Sequence, residues 1–91
     1  MGLQFILHSG RPEILRLSRQ FESGDFRVNR VDECVHILDA SRCYLSLVGV
    51  EAQQYERCVA ELVDRGIDQG IASQAVASII LRNYLQLNLA L

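Results

Sequence analysis

Between Val31 and Gly66 eleven residues recur at alternating intervals of three and four: Val31, Cys34, Leu38, Ser41, Leu45, Val48, Ala52, Tyr55, Val59, Leu62 and Gly66. Only Ser41 and the terminal Gly66 in this run are not apolar. Five heptads without a slip are the pattern of one long helix packed along a seam. The charged residues Asp32, Glu33, Asp39, Glu61 and Asp64 all stay off that seam. Asn29 can cap such a helix, and Asp32 three residues later supports the cap. Gly49 is the one weak point, since a glycine costs about 1 kcal/mol in a helix interior. The register is unbroken across it, and no Ser, Thr, Asp or Asn at 49–51 would cap a new start. The spacing therefore predicts a single helix over about 30–65.

The flanks fit the same picture. Pro12 suits a first helical turn, with Glu13 beside it and Ile14, Leu17 and Phe21 on one face, so a short helix is expected over about 12–23, stopped at Gly24. Residues 1–10 lack a partner strand and read as an N-terminal arm. Arg65-Gly66-Ile67 reads as a helix stop, and Asp68 then caps a last helix running over about 69–89. The expected fold class is all-α: one domain over residues 1–91, a small helical bundle in which the long helix folds back into an apolar C-terminal helix. With 49% apolar residues the chain has ample material for a core.

The tail, Gly70 to Leu91, is the most apolar stretch. It is no membrane span, because Gln74, Arg82, Asn83, Gln86 and Asn88 interrupt it and Arg82 and Asn83 fall near its centre. Its wheel carries one broad apolar face, Ala72, Val76, Ile79, Ile80, Tyr84 and Leu87. A second row, Ile71, Leu81, Leu85 and Leu89, lies on the other side. Three helices alone can hardly bury both, so the second row is expected to be an association surface and the chain a homodimer or higher oligomer. The segment Gly70-Ile71-Ala72-Ser73-Gln74-Ala75-Val76-Ala77-Ser78-Ile79 also resembles the turn and recognition helix of a helix-turn-helix. That resemblance covers ten residues and implies, as the alternative function, a dimeric DNA-binding regulator with a degenerate motif over 62–80. Gly66, Arg65 and Gln69 depart from the first half of the pattern, and no cation follows until Arg82.

All nine cations are Arg, and the net charge of −2 argues against a general nucleic-acid binder. The charge is unevenly spread, with Arg11, Arg16, Arg19, Arg27 and Arg30 in the first thirty residues and an acidic middle. Those five Arg are candidate contacts for a partner protein. The three Cys and the lack of a secretory leader pattern fit a reducing, cytoplasmic setting. On the expected helix Asp32, His36, Asp39 and Cys43 form one exposed row, but a row on one helix cannot wrap a tetrahedral ion. No phosphate-binding Gly loop, paired-Cys spacing or oriented nucleophile is present. No cofactor, metal or catalytic residue is expected. The sequence reads as a non-enzymatic interaction or regulatory protein: an adaptor, chaperone-like factor or inhibitor whose partners are itself and another protein.

Overall fold

The C-terminal helix is the hub of the molecule. A computed structural model describes residues 3–40 and 42–90, with side chains to Leu85. In chain order the elements are α1 (Gln4–Leu7), α2 (Arg11–Ser23), β1 (Phe26–Val31), β2 (Cys34–Asp39), β3 (Arg42–Leu47), α3 (Val50–Asp64) and α4 (Gln69–Ala90). The strands form one antiparallel sheet in the order β1-β2-β3. The fold is therefore α+β, and the all-α helical bundle expected from the sequence is corrected.

The correction falls on the heptad run. Val31, Cys34, Leu38 and Leu45 lie on strands, Ser41 lies outside the described residues, and only Ala52 to Leu62 are helical. The buried positions of β2 are Val35 and Ile37, both off the expected seam, while Cys34, His36 and Leu38 point the other way. This is the two-residue alternation of a strand with one wet face. Phe26 and Val28 against Arg27 and Asn29 repeat it on β1. The 3-4 spacing is genuine only from Ala52, where Ala52, Tyr55, Val59 and Leu62 form the buried stripe of α3.

Two tight turns make the sheet. Asp32 (φ 57°) opens the β1–β2 turn and Ala40 (φ 52°) follows β2. The β1–β2 register sets Val28 against Ile37 and Asn29 against His36. On the other side Val35 faces Leu47 and His36 faces Ser46, but a bulge intervenes, so Ile37 faces Leu45 while Leu38 faces Cys43. Tyr44 is the extra residue. Helix α3 then begins at Gly49, whose φ of 59° and ψ of −127° rule out a helix passing through it.

The helix boundaries elsewhere follow local chemistry. Pro12 and Glu13 sit in the first turn of α2, which buries Ile14, Leu17, Ser18 and Phe21. The expected N-terminal arm instead contains one helical turn, with Ile6 buried and Ser9 Oγ donating to Phe5 O at 2.9 Å. Arg65 finishes that turn by donating to Leu7 O (2.6 Å) and Ser9 O (3.0 Å). Gly66 (φ 93°) ends α3. Its N–H bonds Val63 O at 2.9 Å and that of Ile67 bonds Leu62 O at 3.1 Å, the paired bonds of a Schellman stop. Asp68 Oδ2 then accepts from Gly70 N (3.0 Å) and Ile71 N (3.3 Å), capping α4.

Helix α4 packs on α2, α3 and β1. Its small residues, Ala72, Ser73, Ala75, Ala77 and Ser78, are buried and let its neighbours approach closely, while Val76 and Ile79 fill the gaps. Its polar groups are matched. Gln74 Oε1 accepts from Ser18 Oγ at 2.6 Å, and Ser73 Oγ accepts from Arg30 at 3.0 Å. An aromatic series runs from Phe21 to Phe26, Tyr44 and Tyr84, with centroids 5.8, 5.7 and 6.1 Å apart, and joins α2, the sheet and α4.

Candidate functional site

The expected association row on α4 is divided by the fold. Leu81 is only 6% exposed, covered within the chain, and Ile71 is half-buried against the core. Leu85 remains 37% exposed. Leu89 lies outside the described side chains. A helix apolar on two sides needs two covers; α2 faces the second row, bonding Gln74 and Arg82 beside it through Ser18 and Gln20, while α3 and the sheet also pack on α4.

The five basic candidates are largely committed within the chain. Arg11 donates to Gly66 O at 3.2 Å, and Arg27 to Ala40 O at 3.0 Å. Arg16 grips the Glu13 carboxylate, which the guanidinium holds below the usual carboxylate range. Arg30 is the most engaged. It bonds Glu56 at 3.0 Å and Ser73 at 3.0 Å, and its guanidinium stands 5.4 Å from the Tyr55 ring centre. This ties β1 to α3 and α4. Tyr55 is itself buried and donates to Ser73 O at 3.2 Å. Burial pushes its phenol above the ordinary range, against the smaller opposing effects of Ser73 and Arg30. Among the described residues Arg19 alone of the five makes no such contact.

The segment resembling a helix-turn-helix forms the end of α3, the Gly66 turn and the start of α4. The residues from Ala72 to Ile79, which would do the reading, are mostly buried under α2, α3 and the sheet. A recognition helix needs an exposed face to enter a groove.

What stands open is the far edge of the sheet. Among the described residues strand β3 pairs with β2 alone. After Arg42 it carries no charge and no proline. The opposite edge, β1, carries Arg27 and Arg30, the kind of residue that guards an edge. Beside β3 runs a groove of about 280 Å³ lined by Leu3, Leu45, Leu47, Ile80 and Tyr84, with Glu51, Gln54 and Asn83 at its polar margin. Directly after the strand, Val48 is 54% and Val50 is 67% exposed. The heptad spacing sets Val48 on the seam of a long helix. The signal for its true setting was the Val-Gly-Val tripeptide itself, apolar residues flanking a glycine that turns the chain.

The outer face of the sheet gathers a second group. The expected helical row of Asp32, His36, Asp39 and Cys43 does not exist. Asp32 is in a turn, and Asp39 pairs loosely with Arg42 at 3.9 Å. Yet His36 and Cys43 do meet, across β2 and β3. His36 Nδ1 lies 3.6 Å from Cys43 Sγ and 2.9 Å from Ser46 Oγ, and the sulfur is 3.3 Å from that hydroxyl. Strict alternation would place residues 43 and 46 on opposite faces of the strand. The bulge at Tyr44 puts both outside and turns Tyr44 inward against Phe26 and Tyr84.

The other cysteines differ. Cys58 is buried on α3, and burial raises its thiol above the ordinary range, with Glu61 adding to the effect. Cys34 is half-buried at the start of β2. Among the described residues no three His, Cys, Asp or Glu side chains converge, and no helix is long and apolar enough to cross a membrane. No protein-family model matches the chain, and no curated protein or solved structure matches it either.

Proposed function

We propose that this chain is a non-enzymatic interaction module that works as a homo-oligomer and pairs with a second copy through the β3 edge. The observation that carries this is an edge strand with no charge after Arg42, lying beside an apolar groove and followed by two exposed valines. Unpaired backbone groups on such an edge are a template for another strand. An antiparallel pair of identical strands is also self-complementary about a twofold axis, which suits a closed dimer.

Such a dimer would carry a continuous six-stranded sheet with helices on one side, a broad surface for a protein partner. This supports an adaptor, chaperone-like or inhibitory role over chemistry. The DNA-reading alternative gains nothing from the fold, because the start of α4 has little exposed face and most of the N-terminal Arg residues are engaged within the chain.

Light scattering after size exclusion tests the proposal. The wild type is expected at twice the chain mass. Val48→Lys/Val50→Lys changes two exposed side chains and should give a folded monomer with an unchanged circular dichroism spectrum. Amides of β3 should exchange slowly with deuterium in the dimer and fast in the variant. A wild type that stays monomeric at high concentration overturns the proposal.

A further inference from the structure

We infer that Cys43 is a thiol–disulfide exchange site for small carboxylate-bearing disulfides of the glutathione class, with His36 as its proton acceptor and Arg27 as the cation that receives the carboxylate. Two neighbouring rows cross the outer face of the sheet. The register sets Arg27 beside Leu38 and Leu38 beside Cys43 in one row, and Asn29 beside His36 and His36 beside Ser46 in the next. The Tyr44 bulge puts Cys43 and Ser46 on this one face, and bulges that re-aim a side chain are common beside functional sites. Cys43 is the exposed thiol, whereas Cys34 is half-buried and Cys58 buried. Arg27 reaches across the face to the β2–β3 turn, where it donates to Ala40 O at 3.0 Å. Among the described residues it has no carboxylate partner. A guanidinium carries five N–H donors, so most of the fork is left for a carboxylate. Leu38 lies between that fork and the thiol.

The attacking species in disulfide exchange is the thiolate, so the thiol proton needs somewhere to go. Cys43 Sγ stands 3.6 Å from His36 Nδ1 and 3.3 Å from Ser46 Oγ, and that hydroxyl is 2.9 Å from the same nitrogen. In the tautomer with its proton on Nε2, Nδ1 accepts. The proton passes to it directly, or through Ser46 as the hydroxyl takes the thiol proton and gives its own to Nδ1. The Cys43 sulfur then attacks one sulfur of the incoming disulfide. A new S–S bond forms on Cys43 as the old one breaks, and the leaving thiolate takes the proton from the imidazolium. Cys43 is oxidised and the small disulfide is reduced to one free thiol, so protons and electrons balance. The other charged or titratable groups about this face are Cys34, with Asp25, Asp39 and Arg42 at the near end and Asp32 and Glu33 at the far turn. The three side chains come from one chain, so the site does not depend on self-association.

The test treats reduced protein anaerobically with oxidised glutathione from mildly acid to mildly alkaline pH, quenches by alkylation and maps each cysteine by peptide mass. Cys43 should carry the mixed disulfide before Cys34 or Cys58. His36→Gln should slow it about three- to tenfold at neutral pH, because the gain in thiolate is offset in part by a lower nucleophilicity. The wild-type rate should also fall less steeply with pH than the variant's, since the pair and not the thiol alone sheds the proton. Ser46→Ala should give a smaller loss. Arg27→Gln should slow oxidised glutathione but not the neutral 2-hydroxyethyl disulfide. Circular dichroism of each variant checks the fold. Should His36→Gln fail to fold, the wild-type pH profile is set against that of a short peptide containing Cys43. Modification led by Cys34, equal rates or parallel pH profiles with and without His36, or an Arg27→Gln effect that is the same for both disulfides overturns the inference.

Discussion

Replacing Gly49 with alanine has opposite effects in a continuous helix and in this fold. Within a helix spanning residues 30–65, Gly49→Ala would stabilise the protein by about 1 kcal/mol, because alanine is the better helix former. In the structure Gly49 has φ 59° and ψ −127°, a conformation that L side chains rarely adopt. Nothing lies within 4 Å of an added Cβ, so no clash contributes and the whole cost is backbone strain. Such strain costs about 1–3 kcal/mol. Reduced freedom of the unfolded chain returns about 0.4–1 kcal/mol. The net expectation is a loss of about 1–2 kcal/mol, which lowers the Tm of a domain this size by roughly 4–16 °C. Urea unfolding followed by circular dichroism measures the difference directly. D-alanine at position 49 serves as a control, since φ 59°, ψ −127° mirrors ordinary extended backbone for an L residue, and it should remove the strain. A Gly49→Ala variant more stable than wild type would refute the turn and restore the long helix.

Other substitutions separate structural from surface roles. Leu81→Ala should cost about 2–5 kcal/mol, as for a buried leucine, while Leu85→Ala should cost less than about 1 kcal/mol in the isolated chain; denaturant midpoints of both variants check the division of the α4 row. Tyr55→Phe removes the hydroxyl that bonds Ser73 O and should destabilise by about 1–2 kcal/mol, since that carbonyl loses a donor. The raised Tyr55 phenol adds a pH dependence: its contribution is fully present below the unfolded value of 10.0 and is lost as pH rises through the higher folded value. Stability of the wild type should therefore fall on the alkaline side by more than that of Tyr55→Phe, measured by urea unfolding across that range.

The parts of the fold that could be read from the sequence were those set by local chemistry. Pro12 and Gly24 bounded α2, Gly66 and Ile67 stopped α3, and Asp68 started α4, because caps and stops need particular side chains at particular places. The sheet was hidden for two physical reasons. Both turn positions with positive φ are held by Asp32 and Ala40, neither the glycine nor the asparagine that marks a hairpin. And apolar residues at Leu38, Val31 and Cys34 stand on the outer face, so the alternation around Val35 and Ile37 is blurred into a helical spacing. Helical spacing groups His36 and Cys43 in one row. Their meeting across a bulge could not be read, since the side chains of 43 and 46 share a face only once Tyr44 is known to be extra.

A three-helix body leaves the second apolar row of the tail short of a cover. In the structure Leu81 is buried and Ile71 half-buried. Gln74 and Arg82 flank that row and bond Ser18 and Gln20 of α2, so α2 faces it. Ile80 and Tyr84, on the other side of α4, line the groove beside β3. Leu85 is left exposed, roughly 140° around the helix from Ile80. A single apolar residue in water on one helix turn is ordinary. Charge at Leu85 should therefore act on neither folding nor pairing through β3: Leu85→Glu is expected to keep the far-ultraviolet spectrum and leave the dimer dissociation constant unchanged, while Val48→Lys/Val50→Lys abolishes pairing. A Leu85→Glu variant that dissociates the dimer would move the contact from the β3 edge to the second row of α4.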